Sequence, residues 1–195
     1  IYQNRSFTLP DLLAAVYRKT KGLNNPESDL TAAVLQSYAE PSDEDKQVWG
    51  LKPGEELPER AEDLRQMMAL ITQLADQLKF DREVGPDSVL WFDDDGKPIY
   101  SFFPISNGII TPLLLKHSND TSTKLIVIPG SRANLIAYKL KHDPNLQRIL
   151  TADWQLIKYR QLRQLMENSL LTRELFASQL LTDPPEFHTV QLTLL

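Results

Sequence analysis

The sequence predicts an α/β fold, a mixed central sheet flanked by helices, with α+β as its variant. Three observations carry that expectation. Residues 88–92 (Ser-Val-Leu-Trp-Phe) and 98–105 (Pro-Ile-Tyr-Ser-Phe-Phe-Pro-Ile) are β-rich runs separated by Asp95-Gly96, a strong hairpin turn signal. Residues 124–128 (Lys-Leu-Ile-Val-Ile) form a short apolar run of the kind that strands covered on both faces show. Helical periodicities stand between and around these runs, and such alternation builds a sheet layered with helices.

The elements follow in order. Residues 11–21 place Leu12, Leu13, Val16 and Tyr17 on one helical face, with Pro10 suited to the first turn and Gly22 as the stop. Ser28 reads as the N-cap of a second helix over 29–40, with Leu30, Ala33, Val34 and Tyr38 turned inward. That second helix contains no Lys or Arg to meet phosphate, so the pair reads as packing rather than as a DNA-reading helix-turn-helix. Residues 40–58 read as an acidic, proline-containing connector around Trp49. The longest helix spans about 59–79, with Leu64, Met67, Met68, Ile71, Leu74, Ala75 and Leu78 in helical period and acids crowding its start. The two methionines are core filler.

After the hairpin a short helix is expected around 109–116, cut back by Pro112. The 124–128 strand leaves through Pro129-Gly130-Ser131-Arg132 into a helix whose apolar side is Leu135, Ile136 and Leu140. A further strand is expected over 154–159, helices over 161–167 and 172–181, then Pro184-Pro185 and a β-like run over 189–195. Residues 1–58 thus form a helical hairpin plus acidic connector and 59–195 an α/β core domain, joined in one compact unit overall.

Composition excludes several chemistries. The 195 residues contain no cysteine, so there is no disulfide framework, thiolate metal site or cysteine nucleophile. His117, His142 and His188 stand far apart and outside any HExxH pattern. No apolar run reaches bilayer length and no opening stretch has the make-up of a secretory signal, which points to a cytoplasmic setting without a membrane. No GxGxxG, GxxxxGK[ST] or GxSxG occurs, so nucleotide and serine-hydrolase readings lack a motif.

The net charge of -5 conceals an asymmetry. Residues 1–96 hold 10 Lys/Arg against 19 Asp/Glu, residues 97–173 hold 11 against 4, and the remainder holds three acids and no base. A basic block can meet nucleic acid or an acidic partner, or be neutralised within the chain. A pI near 5.2 is far from that of a dedicated nucleic-acid binder.

Two places invite an anion. A buried strand turning through Gly130 and Ser131 into a helix leaves backbone N–H groups at the sheet edge, with Arg132 beside them; the simpler alternative makes Ser131 a helix cap. Arg132, Lys139, Lys141, Arg148, Lys158, Arg160 and Arg163, interleaved with Tyr138, Trp154 and Tyr159, could follow a phosphate backbone. Asp93, Asp94 and Asp95 lack the alternating ligands and distal glutamate of an EF-hand, so they read as a turn.

From about Gly85 to Leu165 the chain resembles the PD-(D/E)XK endonuclease-like superfamily. The residues that carry the resemblance are 86–93 (Pro-Asp-Ser-Val-Leu-Trp-Phe-Asp), the Asp-Gly turn, 98–106, and the two later strands at 124–128 and 154–159. The resemblance implies a restriction-endonuclease-like core in which an aspartate and an acid-X-Lys group hold Mg²⁺ and activate water for phosphodiester attack. Asp87 after Pro86 matches the first acid. The second group falls on Phe103-Pro104-Ile105, which offers neither carboxylate nor amine, so the resemblance implies a catalytically degenerate member. Pro104 further suggests an edge strand or a bulge.

The expected function is a non-catalytic binding or assembly module with no cofactor and an unidentified protein partner. A metal-dependent nuclease using Asp87 with a displaced Glu83, and Mg²⁺, is one alternative. A nucleic-acid binder using the 97–173 block is another, and self-association of the chain is also open.

Overall fold

A computed structural model describes residues 6–20, 26–42 and 47–180. The chain divides into two compact units, Ile1–Asp63 and Leu64–Leu195, each with its own sheet.

In the first unit β1 (Ser6–Thr8) leads into α1 (Leu9–Lys19), then α2 (Ser28–Tyr38), β2 (Ala39–Pro41), β3 (Val48–Leu51) and the opening turns of α3 (Leu57–Gln77). Thr8 and Asp11 close a capping box at α1, with Pro10 in its first turn. The three strands pair antiparallel in the order β1-β3-β2, with Trp49 opposite both Phe7 and Pro41. The 40–58 segment is therefore no simple connector. Its strands are three or four residues long and carry no alternating pattern, so their partners across the sheet, rather than their own sequence, make them strands. The inward side of α2 is also rotated from expectation. Thr31, Leu35 and Ser37 are buried and Val34 is exposed, because a threonine takes a core position that an apolar pattern passes over. Ser28 is the first helical residue rather than the cap, which is Glu27.

The second unit, which begins within α3, holds a five-stranded mixed sheet in the order β4-β5-β6-β7-β8. β4 (Asp81–Val84), β5 (Val89–Phe92) and β6 (Pro98–Pro104) form an antiparallel meander, and β7 (Thr123–Ile128) and β8 (Trp154–Lys158) add on parallel to β6. Two successive parallel crossovers move in one direction across the sheet. A fixed crossover hand then puts α4 (Thr111–Lys116), α5 (Ala133–His142) and α6 (Pro144–Asp153) on one face. There Phe103, Ile126, Ile128 and Trp154 pack against Leu114, Ile136, Leu140, Leu146 and Leu150. The other face, built on Val89, Trp91, Phe102, Leu125, Val127 and Ile157, is covered by α3, α7 (Tyr159–Glu167) and α8 (Arg173–Leu180) through Met67, Ile71, Leu74, Leu162, Leu165 and Phe176. Each fully buried side chain of this kind contributes about 1.5–3 kcal/mol. The fold is a mixed sheet flanked by helices.

Four details depart from the sequence reading. β4 was not expected; Asp81, Arg82, Glu83 and Val84 are all exposed, and such charged edges resist the backbone addition of a further strand. α6 was not expected either, although Asp143 caps it by accepting from the N–H groups of Asn145 and Leu146, and Pro144 opens it. The 93–97 turn has positive φ only at Gly96, with Asp93 accepting through its side chain from Asp95 and Lys97, so a type I turn followed by a left-handed glycine replaces the expected mirror-image turn. Pro104 ends a central strand rather than an edge one. Ile105 N–H bonds toward β7 at Val127 O, so the position of the missing Pro104 N–H faces β5, whose ladder has already ended at Val89–Phe102. The expected run over 189–195 lies outside the described residues. Among the described residues no helix is long and apolar enough to cross a membrane.

Candidate functional site at the carboxyl edge of the sheet

Strand direction determines what meets at this edge. β4, β6, β7 and β8 all end there and β5 begins there. Glu83 near the end of β4, Asp87 before β5, Phe103–Ile105 at the end of β6, Ser131 after β7, and Lys158 with Arg160 at the end of β8 therefore share one edge. Lys141 lies near the far end of α5, about 12 Å of helix rise from its start, and Arg148 lies on α6.

Asp87 sits in the Gly85–Ser88 turn, closed by Gly85 N–H donating to Ser88 O at 2.8 Å, and it is exposed. Glu83 is exposed on β4, opposite Leu90. Facing the Asp87 turn, the last residues of β6 are hydrophobic. Phe103 is 1% exposed and packs on Trp154 and the His117 ring, Pro104 is buried, and Ile105 is tied to β7. None can hold a metal, and among the described residues no group of three or more His, Asp or Glu side chains could hold one.

The cations fall into two sets. Arg132 is 1% exposed; its Nε donates to Ser106 O at 3.2 Å and a terminal nitrogen to Ser131 Oγ at 3.2 Å. Lys139 Nζ donates to Gly108 O at 2.7 Å, and its partial burial holds its pKa below the ordinary lysine value. Both grip the backbone of the loop between β6 and α4. That loop is further fixed by Asn107 Oδ1 accepting from Ile109 N–H, and Gly108 lies so close to Leu135 that a Cβ there would stand 2.7 Å from its Cδ2. Ser131 lies in a 3-10 turn and is not the cap of α5, a place Arg132 takes. The second set faces solvent: Lys141, Arg148, Arg160 and Arg163 are exposed and Lys158 is partly so. At the start of α7, Gln161 Oε1 accepts from Lys158 N–H at 2.7 Å, leaving the Lys158 ammonium outside that bond.

No family model matches this chain, and neither does any curated protein or any solved structure.

One buried cation escaped the sequence reading. Lys124 is 2% exposed, its Nζ donating to Asp120 O at 3.1 Å and to His117 O and Ser118 O at 3.4 Å, with the Trp154 ring centroid 5.4 Å away. It ties the turn after α4 to the first residue of β8. A lysine opening an otherwise apolar run was its only signal.

Proposed function

We propose that this chain is a non-catalytic binding or assembly module whose second unit carries an endonuclease-like sheet. One observation carries the reading: the end of β6 facing the Asp87 turn is Phe103-Pro104-Ile105, packed into the core and tied to β7. Phosphodiester hydrolysis by a bound metal needs carboxylates and a base at the reacting phosphate. Here the strand that the resemblance assigns to that task supplies apolar packing instead.

Incubation with supercoiled and linear DNA and with RNA, in Mg²⁺ and in Mn²⁺, tests it. The expected result is intact nucleic acid at every time point. Cleavage that disappears in Asp87→Ala or Glu83→Ala would replace this reading with the metal-dependent nuclease.

A further inference from the structure

Residues 64–195 hold 14 Lys/Arg and 14 Asp/Glu, so the second unit is formally neutral. The strand order keeps these charges apart. Toward one end, β4, the following turn and the β5–β6 turn carry Asp81, Glu83, Asp87, Asp93, Asp94 and Asp95 against Arg82 and Lys97. At the other, β8 and α7 carry Lys158, Arg160 and Arg163 against Glu167.

Two acids at the first end belong to turn or surface pairs, Asp93 accepting within its own turn and Asp94 pairing with Arg173 at 2.7 Å, while Arg82 is taken by Asp76 of α3. The carboxylates of Asp81, Glu83 and Asp87 have no ion pair among the described residues, and all three are exposed. Four strand spacings separate β4 from β8, about 19 Å. That exceeds the Debye length of about 8 Å at physiological salt, so the two ends do not neutralise each other.

We infer that the acidic β4 end of one copy docks the basic β8–α7 end of a second copy, head to tail. This rests on the binding-module reading and names its partner. A polyanion such as nucleic acid would satisfy the basic end only and would meet the acidic end of the same sheet, whereas a second copy satisfies both. Zero net charge on the unit leaves no long-range repulsion between copies of the unit itself, the chain's net charge of -5 being carried by residues 1–63. The interface is heterologous, each copy offering a different surface, so it propagates into short open chains or closes into a ring.

Sedimentation velocity of the full chain at about 0.02 M and about 0.5 M salt tests the inference, since an electrostatic contact weakens as the Debye length shrinks. Expected are species larger than the monomer at low salt that dissociate at high salt. Asp81→Lys with Glu83→Lys makes both ends basic, and Arg160→Glu with Arg163→Glu makes both acidic. Each double variant alone should be monomeric at low salt, and an equimolar mixture should associate again. That restoration also demonstrates that both variants are folded.

A monomer at low salt, association unaffected by either reversal, or no restoration on mixing overturns the inference. Salt-sensitive binding of a labelled DNA duplex, lost in Arg160→Glu with Arg163→Glu and unaccompanied by self-association, would overturn it in favour of nucleic acid at the basic end. The cleavage assay is independent of all of these, so loss of the self-association leaves the binding-module reading to stand or fall separately.

Discussion

The Nε of Arg132 lies 3.2 Å from the carbonyl oxygen of Ser106, joining the start of α5 to the loop that leaves β6. An arginine just after a strand is, in sequence, a candidate anion ligand. In the fold its guanidinium is turned inward at 1% exposure and spends its donors on the protein's own oxygens. Arg132→Met leaves the Ser106 carbonyl without this donor in a buried setting. A loss of about 1.5–3 kcal/mol is expected, the range for hydrogen bonds that involve a charged group, and urea unfolding measures it. Arg132→Lys should recover little, because a single ammonium cannot reproduce the spread of the guanidinium fork.

Lys79 ends α3 in a left-handed conformation, φ 59°, where glycine is the usual occupant. The hydrogen bonds are those of a Schellman motif, with Phe80 N–H on Ala75 O at 2.9 Å and Lys79 N–H on Asp76 O at 3.2 Å. Lys79→Gly should therefore raise stability by about 1 kcal/mol, the cost of holding an L side chain there. A fall in stability would mean that the lysine side chain contributes more than its backbone strain costs.

That helix end also marks where the sequence stopped being legible. Met67, Ile71, Leu74 and Leu78 recur at helical spacing and are buried, so the length and inward face of α3 could be read directly. No glycine follows to mark its stop, and the next strand, Asp-Arg-Glu-Val, is an exposed edge whose composition matches a loop. Central strands announce themselves by apolar runs, as β7 does, because they are covered on both faces. Of the candidate site, the position of Asp87 and the lack of ligands at Phe103-Pro104-Ile105 were readable. Which cations face solvent was not. Arg132 and Arg160 are alike in composition and neighbourhood, and only the packing of the β6–α4 loop against α5 turns one inward.

Ser101 and Ser122 share a buried hydrogen bond, Oγ to Oγ at 2.6 Å, between β6 and the residue before β7. Ser101→Ala should cost about 1–2 kcal/mol, because it strands the Ser122 hydroxyl away from water. The double variant Ser101→Ala with Ser122→Ala should cost less than the two single losses added together, since no hydroxyl is then left unpartnered. Strict additivity in the urea-unfolding cycle would show that the two hydroxyls act independently.

Lys139 provides a test in the alkaline range. Partial burial penalises its charged form in the folded chain, so the folded pKa lies below the ordinary 10.5. Below the folded value both states carry the proton and the penalty is complete. Between the folded value and 10.5 the unfolded chain holds more proton than the native one, so this group's contribution to stability rises with pH. Tyr100 acts in the opposite sense. Burial raises its pKa above 10.0, the native state keeps a proton that the unfolded chain releases, and its contribution falls as pH rises past that value. The net slope of the wild type mixes the two, and the difference between wild type and Lys139→Met isolates the lysine. That difference should grow in favour of the wild type as pH rises toward 10.5, because only the wild type sheds a buried charge, while the neutral amine can still donate to Gly108 O. A difference that is flat with pH would mean that Lys139 is solvated in the native state.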